Sequence, residues 1–352
     1  MIEFLEAPLP ASVQDAGRPG YRHLGVPLSG ALDPEWLAIA NALAGNPPTT
    51  AAIEIRLLGP RLRTTTSLTV ALAGDFSARI EDAGGNARAA GNWRSHALAA
   101  NEILDTGTLK SGIGYLAVHG GFDLPAVLGS RSTYARAGLG GLDGRAIKAG
   151  DCVGVGAGDT PKEVPLRDTP IPLRLTQPPR LADGPLRVIP GPQREYFSDA
   201  AWTHFINEEF TVSREADRMG LRLDGPRLQH DPACGADIVS DAVTPGAIQV
   251  PGDGRLIVLL ADCQTVGGYP KIATVIGADL PRLGHALPGQ TLRFVEVGMA
   301  QALAARRDAA AALAACIAGI VPGTMEFNLD ALYSANLIDG VIDAEHANQP
   351  QR

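Results

Sequence analysis

The densest group of polar side chains in the sequence follows an apolar run. RLIVLLA at 255–261 is typical of a buried strand, and it leads directly into DCQTVGGYPKI at 262–272. The second stretch carries Asp262, Gln264, Thr265, Gly267, Gly268, Tyr269 and Lys271. Glycines let backbone N–H groups approach an anion closely, and polar side chains beside them can orient a substrate. The stretch therefore predicts a ligand-binding wall, with a hairpin turn carrying incidental polar residues as the alternative.

Lys271 stands out in this stretch because lysine is rare in the chain. The 30 basic residues are four lysines and 26 arginines. A lysine supplies a compact, titratable ammonium where an arginine supplies a rigid fork, so a site that needs an ammonium would explain its presence. A solvated lysine in a turn is the alternative. Cys263 is expected to take no part, because an unpaired cysteine is most often a small buried residue.

A second stretch, SVQDAGRPGYRHLGVPLSGALD at 12–33, combines turn glycines with polar side chains. Its candidates for binding a polar substrate include Asp15, Arg18 and Ser29. The same groups could instead satisfy the backbone of a loop, and spacing alone leaves both interpretations open.

A third stretch, HGGFDLPAVLGSRSTYARAGLGG at 119–141, places polar residues before a glycine-rich turn. Arg131 could clamp a carboxylate or phosphate through two parallel hydrogen bonds, with Ser132 and Thr133 beside it. A plain polar loop is the alternative. Gln249 adds a polar group before the strand predicted at 255–261, so polar groups flank both ends of that strand.

Several familiar chemistries are excluded by motif. The sequence has neither GxSxG nor the GxxxxGK[ST] phosphate loop, so any ATP is bound without a P-loop. The four cysteines lie far apart without a CxxC pair, and no metal site is predicted. The net charge of -8, with scattered arginines, gives no electrostatic footprint for nucleic acid. The longest apolar run, 309–321, is too short to cross a membrane, so a cytoplasmic protein is expected.

Short apolar runs separated by turn residues predict a mainly β, α+β fold. Glycine occurs 41 times and proline 27 times. The runs typical of strands lie at 67–72, 114–120, 152–156, 186–191, 255–261 and 291–297. A helix is predicted over 33–45, because Asp33 can cap it, Pro34 fits its first turn and Gly45 can end it. An alanine-rich helix is predicted over 299–317.

A proline-rich polar segment at 161–185 is expected to divide the chain as a linker or crossover. The first β-barrel-bearing half would then be 1–160, the second 186–298, and a helical extension 299–352. GRPGYRHLG at 17–25 and DRMGLRLDG at 217–225 share Arg, Gly, Arg and Gly at a constant spacing of 200 residues. This echo leaves a duplication of the halves open, since a later pair of similar segments has a different spacing.

Six stretches, taken in order, resemble the signatures of one family. They are QDAGRPGYRHLGVPLSGALD, ANALAGNP, HGGFDLPAVLGSRST, ADRMGLRLDG, GAIQVPGDG and ADCQTVGGYPKIATVIGADL. The sequence resembles the biotin-dependent carboxyltransferase family, also called allophanate hydrolase subunit 2, over about residues 3–297. The resemblance implies two related halves of cyclophilin-like β-barrel topology, which agrees with the strand-rich pattern.

The resemblance also implies an enzyme that is active only with partners. In the 5-oxoprolinase version, this chain works with the B subunit, which is the allophanate hydrolase subunit 1 homologue, and the two use ATP to phosphorylate the amide of 5-oxoproline. The A subunit then completes ring opening to glutamate. ATP, accompanied by magnesium, is the implied cofactor. The alternatives are a carboxyltransferase that moves a carboxyl group from biotin to urea or another amide, and a non-catalytic antagonist of a kinase inhibitor.

Both enzymatic versions must stabilise negative charge on an amide oxygen, which requires donors aimed at it in advance. On the matching stretches, the predicted catalytic groups are Lys271, Arg218 and Asp262. The predicted substrate-binding residues are Asp15, Arg18, Ser29, Arg131, Ser132, Thr133, Gln249, Gln264, Thr265, Gly267, Gly268 and Tyr269. The lack of a Met-Lys-Met biotin-carrier segment favours the 5-oxoprolinase version.

Overall fold

A computed structural model describes residues 1–156 and 172–323. The strands before the proline-rich segment are β1 (Ile2–Glu6), β2 (Ser12–Gln14), β3 (Ala52–Leu58), β4 (Arg61–Thr64), β5 (Leu68–Ala73), β6 (Arg79–Glu81), β7 (Ala87–Ala89), β8 (Arg94–Leu98), β9 (Ile103–Asp105), β10 (Thr108–Val118), β11 (Phe122–Asp123) and β12 (Cys152–Val155). The later strands are β13 (Leu173–Leu175), β14 (Leu186–Pro190), β15 (Phe210–Val212), β16 (Gly220–Asp224), β17 (Asp241–Ala242), β18 (Ala247–Gln249), β19 (Leu256–Leu259), β20 (Val266–Gly267), β21 (Lys271–Val275), β22 (Thr291–Leu292), β23 (Phe294–Glu296) and β24 (Ile320–Pro322). The α-helices in these ranges are α1 (Pro34–Ala44), α2 (Asp199–Asn207), α3 (Leu280–His285) and α4 (Met299–Ala318).

Two seven-stranded sheets build the first half. One has the order β11-β12-β1-β4-β9-β6-β7, and the other has the order β2-β3-β10-β5-β8-β13-β24. The second sheet takes in β13 and β24, which come from later in the chain and pair antiparallel with each other. The segment expected as a linker at 161–185 thus contains a sheet strand where it is described. Its residues 161–171 lie outside the described residues, as does the end of the expected helical extension, 324–352.

An eight-stranded sheet builds most of the second half, in the order β22-β15-β16-β19-β18-β21-β14-β23, and β17 and β20 form a separate two-stranded sheet. The two edge strands of the eight-stranded sheet, β22 and β23, are separated in sequence only by Arg293. One short segment therefore completes both edges, and the sheet curls into a nearly closed barrel. Aromatic side chains pack into its core, with the ring centroids of Phe205 and Phe294 4.8 Å apart.

Helix α1 forms where the sequence predicts it. The Asp33 carboxylate accepts hydrogen bonds from the backbone N–H groups of Glu35 and Trp36, at 2.9 and 3.0 Å. Pro34 occupies the first turn, where its missing N–H costs nothing. Gly45 ends the helix in the left-handed conformation, with φ 75°.

Helix α1 also packs between the two halves. One core cluster contains Leu37 and Ile39 of α1, Tyr115 of β10, and Val188 and Phe205 of the second half. Burying a side chain such as leucine or isoleucine stabilises a protein by roughly 1.5–3 kcal/mol. The helix therefore joins the halves through a shared apolar core, while a separate cluster belongs to the first half alone.

The expected fold class is confirmed: the chain is mainly β, with few helices and the alanine-rich α4 toward its end. Each of the six predicted strand runs contains a strand. The echoed segments differ in structure, because 17–25 is a loop with a short 3-10 turn whereas 217–225 enters β16. Over the described ranges, no helix has the length and apolar character needed to span a bilayer.

Candidate functional site

Arg218 lies at the centre of a largely buried ionic network. Its Nε donates to Asp262 at 2.9 Å, and its Nη1 pairs with the carboxylate of Glu54 on β3. Its Nη2 donates to the carbonyl of Gly30 and, at 3.3 Å, to Asp262. Burial opposes the charged form of Arg218, but the charges and hydrogen bonds of Glu54 and Asp262 outweigh it and raise the pKa of the guanidinium. Arg218 is thus a permanent cation that joins the halves.

The network continues from Glu54 deeper into the first half. The second Glu54 oxygen accepts from the Tyr115 hydroxyl and from the backbone of Leu32, both at 2.8 Å. The Tyr115 hydroxyl in turn accepts from the backbone of Asp33, whose carboxylate lies 2.8 Å from Nε2 of His285. Burial, followed by the Glu54 charge, raises the pKa of Tyr115 well above its ordinary value. We call Asp262, Arg218, Glu54, Tyr115, Asp33 and His285 the Arg218 network.

Asp15 organises the loop that carries the Ser-Arg-Ser-Thr motif. One Asp15 oxygen accepts from the hydroxyls of Ser130 and Ser132, at 2.6 and 2.5 Å, and from the backbone of Gly17 at 2.8 Å. The other accepts from the backbone N–H of Arg131 at 2.6 Å. The carboxylate is therefore saturated by protein donors. Its evident role is to hold residues 130–133 against the loop that follows β2.

Arg18 is fully buried beside this loop, at 0% exposure. Its Nη2 donates to the carbonyl of Ser132. Its Nε and Nη1 are buried without a hydrogen-bond partner among the described residues. Burial lowers the pKa of Arg18, while the charges of Asp15 and Asp262 act in the opposite direction.

Lys271 begins β21, with its ammonium 2.8 Å from a carboxylate oxygen of Asp241 on β17. The lysine side chain is 3% exposed and that of the aspartate is 48% exposed, so the pair lies at the protein surface with the lysine beneath. The hydrogen bond from Lys271 lowers the pKa of Asp241. The Lys271 ammonium is therefore buried, and the carboxylate that pairs with it is exposed to solvent.

Gln249 lies next to Lys271 in the pairing of β18 with β21. Its Oε1 accepts from Gln264 at 3.4 Å, while its Nε2 is buried and has no partner among the described residues. Gly267 lies against this amide, since a Cβ at position 267 would stand 2.5 Å from Nε2. We call Lys271, Gln249, Gln264, Gly267 and Asp241 the Lys271 cluster.

The structure thus sorts the predicted residues into three groups. Asp15, Arg18, Ser132 and Thr133 meet in one group, while Arg218 and Asp262 meet in the second. Lys271, Gln249, Gln264 and Gly267 meet in the third. Ser29 lies between the first two groups: its backbone N–H donates to the carbonyl of Ala261, the residue before Asp262, at 3.1 Å.

Four predicted residues have other placements. The exposed Arg131 turns its Nε to the carbonyl of Leu124, at 2.7 Å, rather than into the group around Arg18. Thr265 and Gly268 accept backbone hydrogen bonds from Val243 and Ile238 through their carbonyls. The side chain of Tyr269 is 40% exposed. Cys263, in contrast, is fully buried, and burial raises the pKa of its thiol.

Sequence reasoning missed Glu54, Tyr115, Asp241 and His285. Glu54 did leave a signal, because AIEIRLL places a carboxylate inside a strand that is otherwise apolar at its start. A buried carboxylate requires a partner. The identity of that partner, 164 residues later in the chain, could not be read from local pattern.

A cavity of about 350 Å³ meets the Arg218 network only at His285. It is lined by residues of both halves, including Lys110, Arg282, His285 and Arg293, and none of the predicted site residues lines it. Arg293 is paired with Glu209 and Arg282 with backbone carbonyls. In the described part of the chain, no cluster of His, Cys, Asp or Glu could hold a metal ion.

The chain belongs to the carboxyltransferase domain family, subdomains A and B, which it matches over residues 24–296. It is 36% identical over 310 residues to the 5-oxoprolinase C subunit of Escherichia coli (strain K12), covering 88% of this chain and 95% of that protein. It is 35% identical to the 5-oxoprolinase C subunit of Haemophilus influenzae, covering 87% of this chain and 94% of that protein. Among solved structures, the urea carboxylase of Kluyveromyces lactis aligns with a TM-score of 0.78 and 28% identity, covering 89% of this chain and 29% of that one.

Proposed function

We propose that this chain is one component of an ATP-dependent 5-oxoprolinase. It would act with the B subunit and the A subunit of that enzyme as partners, and it would activate the amide of 5-oxoproline by phosphorylation before the ring opens to glutamate. The observation that carries the proposal is the match to two 5-oxoprolinase C subunits over 95% and 94% of their length. By contrast, the chain spans only 29% of the urea carboxylase that it resembles.

The Lys271 cluster supplies the donors that this chemistry needs. An amide oxygen that attacks a phosphoryl group becomes part of an anionic transition state, which an ammonium held in place stabilises without reorganisation. Lys271 is such an ammonium, and the unpartnered Nε2 of Gln249 is a second donor beside it among the described residues. In this proposal Lys271 is the catalytic cation, and Gln249, Gln264 and Gly267 shape its wall.

The Arg218 network supplies position rather than a free donor. Every Arg218 nitrogen already donates to a carboxylate or carbonyl within the protein. Arg218 would therefore act by holding Asp262 at the start of the predicted wall, residues 262–271. Asp262 is the candidate that orients the attacking group, because its carboxylate lies where β19 passes into that wall.

ATP supplies the phosphoryl group in this scheme. The two predicted carboxylates, Asp15 and Asp262, are engaged by protein donors and are therefore not assigned to magnesium. Magnesium prefers carboxylates together with phosphate oxygens and water. No step of the scheme is therefore assigned to a metal held by this chain.

The decisive experiment measures ATP hydrolysis by the chain mixed with homologues of the B and A subunits. We expect stimulation by 5-oxoproline and none by urea. Lys271→Ala should reduce the stimulated rate by about 100-fold or more, the effect of losing a preorganised donor to the transition state. Lys148→Ala, at an exposed lysine far from the cluster in sequence, is the control and should keep the wild-type rate. Undiminished turnover by Lys271→Ala would contradict the role of Lys271 as the catalytic cation.

One observation favours a second candidate function, carboxyl transfer. The chain aligns over 89% of its length with part of a urea carboxylase. In that version the same wall would stabilise an amide during transfer of a carboxyl group from biotin. Urea-dependent consumption of carboxybiotin, with no response to 5-oxoproline, would favour this candidate over the first.

A further inference from the structure

The buried guanidinium of Arg18 has fewer hydrogen-bond partners than a buried charge normally has. It is 0% exposed, yet among the described residues only its Nη2 has a side-chain hydrogen bond, to the carbonyl of Ser132. Buried polar groups in proteins are almost always hydrogen-bonded, and an unpaired buried charge is the most costly exception. Two donors of the guanidinium, Nε and Nη1, are left unused within the described ranges. Such a group indicates a place that a ligand completes.

Other unused polar side-chain atoms belong to residues near Arg18 in the fold. The side-chain oxygens of Gln14, Ser29 and Thr133 are likewise buried and without a partner in the described part of the chain. They belong to the same neighbourhood: Gln14 Nε2 donates to the carbonyl of Thr133 at 3.2 Å, and Arg18 donates its backbone N–H to the carbonyl of Leu28 at 2.8 Å. We call Gln14, Arg18, Ser29 and Thr133 the Arg18 cradle.

Backbone strain singles out Ser29 within the cradle. Its φ is 52°, a left-handed conformation that a residue other than glycine adopts at a cost of about 1–3 kcal/mol. Its side chain is 2% exposed and its hydroxyl makes no compensating hydrogen bond to any described residue. Strain of this kind persists where the surroundings fix a residue for binding.

The described protein groups nearby do not supply the missing partners. The Asp15 carboxylate is taken by Ser130, Ser132 and backbone donors. The opposite side is glycine: a Cβ at Gly140 would stand 2.8 Å from Nη2 of Arg18, and one at Gly141 would collide with Oγ1 of Thr133. No side chain can therefore grow from those two positions to neutralise the guanidinium.

We infer that the Arg18 cradle binds the carboxylate of the amide substrate. The inference rests on the proposed function to the extent that 5-oxoproline is a cyclic amide carrying a carboxylate, whereas urea carries none. Arg18 would donate Nε and Nη1 to the two carboxylate oxygens, as guanidinium groups commonly do. The hydroxyls of Ser29 and Thr133 add neutral donors, and Oε1 of Gln14 can accept the ring N–H of the substrate.

The assignment predicts discrimination among small ligands. A site built around an unpaired guanidinium binds a lactam that carries a carboxylate tightly. It binds the same lactam ring without the carboxylate weakly. The cradle would thus make Arg18 the residue that selects an amino-acid-derived lactam over urea. Arg131, the clamp suggested by the sequence, turns its own Nε to the backbone of Leu124 instead.

The test measures binding rather than turnover. The chain in complex with a homologue of the B subunit is titrated with L-5-oxoproline, 2-pyrrolidinone and inorganic phosphate, using the wild type, Arg18→Gln and the exposed-site control Arg214→Gln. We expect Arg18→Gln to weaken 5-oxoproline binding by about 10- to 100-fold, as for losing a charge-assisted pair. The weak binding of 2-pyrrolidinone should stay unchanged, and Arg214→Gln should match the wild type for every ligand.

Two further variants guard against misfolding of Arg18→Gln. Ser29→Ala and Thr133→Val each remove one hydroxyl with little change in volume and should weaken 5-oxoproline binding by about 3- to 10-fold. The inference is overturned if wild-type protein does not bind 5-oxoproline, if Arg18→Gln weakens phosphate alone, or if it weakens both lactams equally. ATP hydrolysis is measured separately. Arg18-dependent binding without 5-oxoproline-stimulated hydrolysis would refute the proposed function and leave the cradle standing.

Discussion

Two arginines occupy equivalent positions of the echoed Arg-Gly-Arg-Gly pattern and have opposite surroundings. Arg218 donates to Glu54, Asp262 and a backbone carbonyl, so its charge is matched within the protein. Arg18 is less exposed to solvent, but two of its nitrogens have no partner among the described residues. A charge paired within the protein holds the two halves together, whereas a charge with unpaired donors is available to a ligand. The contrast separates the residue that positions the site from the residue that recognises what enters it.

The largest loss of stability is expected from Arg218→Met, which removes the arginine that is paired within the protein. The change leaves the Glu54 and Asp262 carboxylates buried without their cation, which should cost about 3–5 kcal/mol of unfolding free energy. Urea denaturation measures it. Arg222→Met, at an exposed residue of β16 four positions later, is the control and should shift stability by less than about 0.5 kcal/mol. A loss below about 1 kcal/mol at Arg218 would contradict the importance of the network.

A smaller effect is expected from Gly141→Ala, which tests how tightly the glycine side of the cradle is built. Gly141 and Gly138 both have positive φ, 54° and 62°, so an alanine is strained at either position. Of these two, only Gly141 would bring the new Cβ into collision with a neighbour, Oγ1 of Thr133. Gly141→Ala should therefore be less stable than Gly138→Ala by about 1–3 kcal/mol in urea denaturation. Equal losses would show that the strain is in the backbone alone.

Arg18→Met should leave the unfolding free energy unchanged or raise it by about 1–4 kcal/mol, because it removes a buried charge whose desolvation is not offset by partners. The same denaturation series measures it beside Arg218→Met. No loss at Arg18 together with a large loss at Arg218 is the result that the contrast predicts. A loss as large as that at Arg218 would mean that the protein already satisfies Arg18.

The last effect depends on pH and concerns Glu35, an acid near the start of α1. Burial, followed by the charge of Asp33, raises its pKa from the ordinary 4.5 to about 7. The folded state then binds more protons than the unfolded state between these values, so the contribution of Glu35 to stability falls as pH rises through that window. Glu35→Gln should gain stability relative to the wild type as the pH rises from about 4.5 to about 8. Urea denaturation across that range checks this, with Glu195→Gln at an exposed position as the matched control.

Sequence reasoning recovered the parts of the fold that local chemistry decides. Asp33, Pro34 and Gly45 bound α1 because capping and left-handed glycine are short-range effects. The strand runs followed from alternation of apolar and turn residues. The pairing of Arg218 with Glu54 could not be recovered in this way, since it depends on how α1 and two distant strands pack. The same holds for Lys271 and Asp241, which β17, β20 and β21 bring together.

The single segment that forms both edges of the second-half sheet has a consequence for solubility. An open sheet edge presents unpaired N–H and C=O groups that another chain can join, and such edges lead to aggregation. Here the edge strands β22 and β23 pair with β15 and β14, respectively, and are separated only by Arg293. A proteolytic cut or a proline in this segment would expose two templates for intermolecular strand pairing at once. Resistance to self-association in the second half is therefore concentrated in residues 291–296.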